Sequence, residues 1–257
     1  MKKIKNWKNA LQKFIQKWES KKEVIGALVC GSYITGNPSN HSDLDIEILL
    51  KSKTPWTESG NEIIDGFLIE YFARPYKKHC EEFEEDYKSR SKIEAHMFTT
   101  GKVLFDKTGE LDKLIKIAKK YMVKKYTPQS KIEIKNIKYR LWDRCDNLEE
   151  VFEANSKEFF FVFYVHLKDL FEIYSKFLQF DSIPAHKLKR FLINKEEKKK
   201  YHINNFPDKA FVKMYVDAIN IKDKLKMMKE YQKLTKHVLN KMGGFNIDGW
   251  KIKSPAK

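Results

Sequence analysis

A Gly-Ser pair and two closely spaced aspartates have the residue types and the spacing for phosphate chemistry. Gly31 and Ser32 follow an apolar run that is predicted to be a short buried strand, and Asp43 and Asp45 open a second apolar run. Alternate residues of a strand point to the same face, so the two carboxylates share one face. Carboxylates this close repel each other unless a cation lies between them. Mg²⁺ is the expected cation, because it prefers hard oxygen ligands and often binds through one or two carboxylates together with substrate phosphates.

Gly31 and Ser32 fit the phosphate half of such a site. A glycine at a strand-to-helix turn lets the backbone approach a phosphate closely. The Ser32 hydroxyl and the amides that follow it can donate hydrogen bonds to phosphate oxygens at the start of a helix. We therefore expect a nucleoside triphosphate to contact Gly31 and Ser32 while Asp43 and Asp45 hold its metal ions.

The order Gly-Ser, ten residues, then Asp-x-Asp resembles the signature of the DNA polymerase β-like nucleotidyltransferase superfamily. The details are similar to its smaller bacterial branches, which include antibiotic nucleotidyltransferases and the minimal nucleotidyltransferases of toxin–antitoxin pairs. The resemblance implies a third metal-binding carboxylate on a later strand. Its best match is Glu70 in the run NEIIDGFLIEYFARP, at a position where many members carry aspartate. The resemblance also implies two Mg²⁺ ions, or Mn²⁺ in their place, with ATP or another nucleoside triphosphate as co-substrate.

The run around Glu70 is predicted to be a β-hairpin. Asp65 and Gly66 form a strong two-residue turn signal between apolar segments at 61–64 and 67–73. Asp65 therefore belongs to the turn, and Glu70 lies on the returning strand, within reach of the face that carries the aspartates. Arg74 follows at the strand end, where it either contacts a phosphate or pairs with a nearby acid. We include it among the candidate phosphate-binding residues.

The order of the patterns predicts two domains. Residues 1–109 read as an α/β (α+β) nucleotidyltransferase domain with a small mixed β-sheet, which a helix at 4–20 precedes and a strand at 102–106 closes. Residues 76–98, which precede that last strand, are predicted to be helical. Residues 110–244 read as an α-helical bundle that binds the acceptor, and 245–257 read as a tail. Within the bundle, the segment 159–180 is apolar on most sides, which predicts a central helix.

Related antibiotic enzymes use a carboxylate of the helical domain as the general base for the acceptor hydroxyl. Glu153, Glu158, Asp169 and Glu172 are candidates, and no motif distinguishes among them. Asp169 is our choice, because it is a polar group in a very apolar helix. The bundle contains no closely spaced Arg-then-His pair of the kind that helical nuclease partners of minimal nucleotidyltransferases carry, so nuclease activity is not expected.

The composition limits which partners and which cellular location are expected. The 257 residues carry a net charge of +16, but the lysines are spread along the chain and arginine is scarce, so nucleic-acid binding is not favoured. No apolar run reaches the roughly 18–20 residues that span a bilayer, and the basic N-terminus lacks the features of a signal peptide. The three cysteines indicate neither a disulfide framework nor a metal cluster. A cytoplasmic location is therefore expected, while no feature indicates an oligomeric state.

These observations predict a Mg²⁺-dependent nucleotidyltransferase that moves a nucleoside monophosphate, AMP from ATP, to a hydroxyl acceptor. The first choice of acceptor is a small molecule such as an aminoglycoside or lincosamide antibiotic. The alternatives are AMP transfer to a protein hydroxyl, as in toxin–antitoxin systems, nucleotide addition to RNA, and a non-catalytic nucleotide-binding module.

Overall fold

A mixed sheet carries the residues singled out above. The computed structural model describes residues 6–253. Its five strands are β1 (Val24–Cys30), β2 (Leu44–Leu50), β3 (Glu58–Ile64), β4 (Phe67–Pro75) and β5 (Lys102–Asp106), in the spatial order β3-β4-β2-β1-β5. The β2–β4 pair is parallel and the other neighbouring pairs are antiparallel. The expected class, a small mixed sheet followed by a helical region, is confirmed.

Five helices belong with this sheet. They are α1 (Trp7–Glu19), α2 (Ser32–Thr35), α3 (Tyr76–Lys88), α4 (Ile93–Thr100) and α5 (Glu110–Val123). The predicted start of the first helix at residue 4 lies outside the described residues. The segment predicted as helical over 76–98 is two helices, because the chain breaks after α3, where Arg90 takes the left-handed conformation with φ 62°.

Both faces of the sheet are covered, as the near-continuous burial of β1 and β2 requires. One face packs Val29, Leu44 and Ile46 against α1, which contributes Phe14 and Trp18. On the opposite face, a second cluster joins strand residues to α3, α4 and α5; its members include Leu28, Cys30, Leu49, Phe83, Phe98 and Leu114. The aspartates point to this second face, at the end of the sheet where β2 begins.

The helical region contains α6 (Lys131–Glu153), α7 (Phe159–Phe177), α8 (Ala185–Ile193), α9 (Lys195–Lys200), α10 (Lys209–Asn220) and α11 (Lys224–Lys241). A capping box fixes the start of α6, since the Ser130 hydroxyl accepts from the Glu133 amide and the Glu133 carboxylate accepts from the Ser130 amide. The helix predicted over 159–180 ends at Phe177. A glycine pair ends α11, because Gly243 has φ 91° and the Gly244 amide donates to the Leu239 carbonyl at 2.8 Å.

The chain divides into two compact units at a different place from the predicted one. The first unit ends at Lys124 and also includes Lys199–His202, and the second consists of Lys125–Lys198 and the chain from Ile203 onward. The predicted boundary at residue 109 therefore falls one helix too early. Its physical reason is the apolar stripe of α5, whose Leu111, Leu114 and Ala118 are buried in the core of the sheet unit.

The second unit is built around an aromatic core. Helix α11 packs on α6, α7 and α10, and the fully buried rings at its centre are Phe159, Phe163, Phe171, Tyr174, Phe211 and Tyr231. None of the helices among residues 6–253 combines the length and the apolar composition that crossing a bilayer requires.

Candidate active site

The turn after β1 brings the backbone of Gly31 against a carboxylate. Gly31 has φ 78° and ψ −162°, a conformation that favours glycine. A Cβ atom built at this position would lie 1.8 Å from Asp45 Oδ2, which no arrangement of atoms allows. From the sequence, this glycine is expected to let the backbone approach a phosphate. The structure supplies a further reason, because the Asp45 carboxylate occupies the space that any other side chain at residue 31 would need.

Three carboxylates converge at one end of the sheet. One ligand oxygen from each of Asp43, Asp45 and Glu70 can be chosen so that all three lie within 4.8 Å of one another, and the three side chains are partly exposed. The register explains the arrangement, because Asp45 on β2 is directly opposite Glu70 on the parallel strand β4. The sequence places Asp43 two residues earlier on the same face. Asp65, by contrast, lies in the hairpin turn with φ 51°, as predicted.

The donor set of this triad fits Mg²⁺. All three ligands are hard carboxylate oxygens of the kind that Mg²⁺ and Mn²⁺ bind. Three carboxylates within this distance carry a concentrated negative charge that a divalent cation would balance. Their partial exposure leaves room for further ligands from a substrate or from water.

Arg74, predicted either to contact a phosphate or to pair with an acid, forms ion pairs inside the sheet unit. Its guanidinium Nη1 lies 3.2 Å from Glu94 Oε1 and 3.7 Å from Glu47 Oε2, and only 11% of the side chain is exposed. The guanidinium also lies over the Phe72 ring. Arg74 therefore pairs with two acids, which is one of the two predicted alternatives, whereas its contact with a phosphate stays a prediction.

Glu47 is the unexpected member of this face of β2. It follows Asp45 by two residues and is 1% exposed, and neither carboxylate oxygen has a hydrogen-bond partner. Burial raises its pKa well above the usual range, and the nearby Glu94 raises it further, although Arg74 acts in the opposite direction. His79 of α3 lies 3.6 Å away, and burial lowers its pKa to about 3, so its imidazole is neutral. Strand alternation directs Glu47 to the same face as Asp45, and α3 and α4 enclose it there.

The segment Lys199–His202 adds contacts to the loop that follows the Gly-Ser turn. The Tyr201 hydroxyl lies 3.0 Å from Asn37 Oδ1 and 3.3 Å from Thr35 Oγ1, and Thr35 Oγ1 donates to the same Asn37 oxygen at 2.8 Å. The His96 ring of α4 hydrogen-bonds to the Tyr201 carbonyl. Sequence reasoning missed Tyr201, because no local pattern connects it to a loop more than a hundred residues earlier.

Asp169, the candidate general base, belongs to the second unit. Its carboxylate lies 2.6 Å from Arg144 Nη2, and 26% of the side chain is exposed. Glu172, another candidate, pairs with Lys168 at 2.7 Å. Both acids therefore have cationic partners on their own unit, and the general-base role of Asp169 stays a prediction.

Comparisons with known proteins agree with this site. Residues 11–124 match the family model described as a nucleotidyltransferase domain, and the match ends where the first unit ends. This part of the chain is a nucleotidyltransferase domain of the DNA polymerase β-like superfamily. No curated protein matches the chain.

One solved structure similar to this chain is that of a nucleotidyltransferase-like protein from Exiguobacterium sibiricum. It shares 9% sequence identity with this chain and has a TM-score of 0.44. The alignment covers 91% of this chain and 74% of that one.

Proposed function

We propose that this protein is a Mg²⁺-dependent nucleotidyltransferase that moves a nucleoside monophosphate, AMP from ATP, to a hydroxyl acceptor. The observation that carries the proposal is the convergence of Asp43, Asp45 and Glu70, whose ligand atoms lie within 4.8 Å of one another on the strands that the nucleotidyltransferase domain provides. A cluster of surface acids without a catalytic role is not expected to lie beside a Gly-Ser turn.

Each residue of the site has a role in this reaction. Asp43, Asp45 and Glu70 would hold the metal, which when bound stabilises charge on the phosphoryl oxygens and orients the triphosphate. The Ser32 hydroxyl and the amides of the turn that begins at Gly31 donate to the β- and γ-phosphates. Gly31 itself keeps space for the Asp45 carboxylate.

The chemical step is an in-line displacement at the α-phosphorus. The acceptor oxygen forms a bond to this phosphorus, while the bond to the oxygen that bridges the α- and β-phosphates breaks and pyrophosphate leaves. The acceptor proton passes to a carboxylate oxygen, either of Glu70 or of Asp169 in the second unit. Positioning and electrostatic stabilisation supply most of the catalysis in transfers of this kind.

The first choice of acceptor is a small-molecule hydroxyl, as on an aminoglycoside or a lincosamide, bound by the helical unit. The resemblance of the Gly-Ser and Asp-x-Asp signature to antibiotic nucleotidyltransferases supports this choice. A second candidate, nucleotide addition to RNA, is favoured by one specific observation, a group of three lysines (Lys131, Lys135 and Lys138) that line a cleft of the helical unit. The cytoplasmic location expected from the sequence belongs to the same proposal.

The experiment is transfer of label from α-³²P ATP in the presence of Mg²⁺. Separate reactions contain pooled aminoglycosides and lincosamides, total RNA, or cell lysate as the source of protein hydroxyls. The test variant is Asp45→Asn, and the matched control is Asp65→Asn, which makes the same change in the turn of the neighbouring hairpin. We expect label in one pool, a loss of at least about a hundredfold in Asp45→Asn, and wild-type transfer in Asp65→Asn.

The outcomes separate the alternatives. Label in the antibiotic pool supports the first choice, and label in RNA or protein names another acceptor for the same chemistry. Metal-dependent ATP binding that Asp45→Asn removes, without transfer to any pool, would replace the enzyme with a nucleotide-binding module. Equal transfer by Asp45→Asn and wild type would overturn the proposed site.

A further inference from the structure

The second unit contains a cleft that the proposed reaction does not use. It has a volume of about 520 Å³ and lies between the first turns of α6 and the segment that follows α11. This volume is within the range of roughly 300–1,000 Å³ that is typical of ligand sites. Lysines and aromatic residues are among the residues that line it; those that matter here are Lys131, Lys135, Lys138, Phe245, Asp248 and Trp250.

The cleft is cationic. Lys131, Lys135 and Lys138 stand at positions i, i+4 and i+7 of α6, which lie on one face of a helix. Within residues 6–253, none of the three ammonium groups forms an ion pair or a hydrogen bond. Asp248 is the one carboxylate in the lining, so positive charge exceeds negative charge there.

Aromatic rings beside these lysines are held in place by α6. The Trp250 ring stacks on Tyr139, with centroids 4.3 Å apart and an interplanar angle of 20°. Phe245 lies against Trp142 at a centroid distance of 6.5 Å. Because their neighbours fix them, Trp250 and Phe245 offer flat apolar surfaces at little entropic cost to a ligand.

Ammonium groups next to fixed aromatic rings match the chemistry of a nucleotide, which has phosphate oxygens for the lysines and a planar base for stacking. The lysines are also spread along the helix. Seven residues of helix separate the backbone of Lys131 from that of Lys138, a distance of about 10 Å along the axis. Successive phosphates of a strand extend over a comparable distance, so each lysine can contact its own phosphate.

We infer that this cleft binds a single-stranded nucleic acid, with consecutive phosphates on the three α6 lysines and an unpaired base against Trp250 or Phe245. A free nucleotide presents a single base with its phosphate group, whereas a strand presents a base and a phosphate at every nucleotide. The inference goes beyond the proposed function, because it concerns binding by the helical unit and holds whether or not nucleotide is transferred in the sheet unit.

The test measures binding apart from catalysis. A fluorescein-labelled single-stranded RNA 12-mer is titrated with the full-length Asp45→Asn protein in EDTA, and anisotropy is read at 50 and 200 mM salt. The test variant is Lys131→Gln/Lys135→Gln/Lys138→Gln. The matched control, Lys222→Gln/Lys226→Gln/Lys229→Gln, removes three exposed lysines of the same unit at the same sequence spacing. Thermal melts of both variants show that each is folded.

We expect the α6 triple variant to lose at least about tenfold in affinity at 50 mM salt. The slope of log affinity against log salt should fall by about two, since each phosphate contact to a single strand contributes roughly 0.7. Trp250→Ala should weaken binding by about fivefold or more through lost stacking. The control variant should bind nearly as wild type.

Three results would overturn the inference. The first is equal weakening by both triple variants, which would indicate attraction by net charge alone. The second is binding that no variant changes. The third is displacement of the 12-mer by AMP at an equal concentration of nucleotide units, which would assign the cleft to free nucleotides. None of these results bears on label transfer by the sheet unit, so failure here is distinguishable from failure of the proposed reaction.

Discussion

Each unit of this protein shields a carboxylate from solvent, and the two carboxylates have opposite surroundings. Glu47 of the sheet unit is fully buried, has no hydrogen bond on either oxygen, and has a pKa raised first by burial and then by Glu94. Asp208 of the helical unit has a side chain only 10% exposed, and it accepts hydrogen bonds from the Phe211 amide, Tyr174 and His237. Burial opposes its ionisation, but these hydrogen bonds outweigh burial and lower its pKa to about 2.

The difference shows what each polar group does for its unit. Asp208 caps the start of α10 and joins it to α7 and α11, so its ionisation stabilises the packing of three helices. Glu47 costs free energy where it lies, two residues after Asp45 on the same face of β2. Departures from the rules of stable packing are expected near functional sites, where geometry rather than stability determines the residues. Four predictions test this comparison.

The largest expected effect is the loss of stability caused by replacing Arg74. Arg74→Met removes the cation that lies between Glu47 and Glu94, leaving two buried carboxylates without a charged partner. Breaking a buried ion pair from one side costs about 3–5 kcal/mol, so the free energy of unfolding in urea should fall by that amount. Arg140→Met, at an exposed position of α6, is the control and should change little. A small loss of stability together with weaker ATP binding would instead favour the phosphate contact.

Gly31→Ala tests whether the end of β1 is shaped for the Asp45 carboxylate. The new methyl group would coincide with Asp45 Oδ2, so the carboxylate must move. We expect transfer to fall about a hundredfold, the size of loss that a displacement near 1 Å produces. Gly36→Ala is the matched control, because Gly36 has a similar φ of 88° but nothing within 4 Å of a new Cβ. Equal losses in the two variants would mean that backbone strain alone is responsible.

Asp208→Asn tests the hydrogen-bonded carboxylate of the helical unit, whose surroundings are opposite to those of Glu47. Its pKa of about 2 in the folded protein lies below the ordinary aspartate value of 3.8, so its stabilisation is complete above pH 3.8 and disappears as the pH falls towards 2. This difference corresponds to about 2 kcal/mol. Urea unfolding should therefore show a deficit of that size in Asp208→Asn at pH 5 that narrows by pH 2.5. Asp223→Asn, at the N-cap of α11, should change little, because Asn caps as well as Asp.

The smallest effect is expected for Glu47→Gln. A buried carboxyl group with no hydrogen bond contributes little that an amide of the same shape would not. The free energy of unfolding at pH 7 should change by less than about 1 kcal/mol. A loss as large as that of Arg74→Met would contradict the comparison, since Glu47 would then stabilise its unit as Asp208 does.

Much of the candidate site was predictable because its residues follow short-range rules. Alternation along β2 put Asp43 and Asp45 on one face, and the Asp65-Gly66 turn identified Glu70 as the acid on the returning strand. Both patterns involve residues that are close together in the sequence, so they are visible in a single segment. The same rules did not reveal that α5 packs on the sheet, because an amphipathic helix has the same pattern whichever neighbour covers its apolar stripe.

The Gly-Ser turn, the Asp-x-Asp pair and the strands that carry them are specified locally, because each depends on residues close together in the chain. The other features of the site depend on contacts between distant segments. Parallel pairing of β2 with β4 sets Asp45 opposite Glu70, α3 and α4 enclose Glu47 with Arg74, and Tyr201 reaches the loop at Asn37. These contacts join segments that local propensities do not connect, and they form only when the packing of apolar faces brings the segments together.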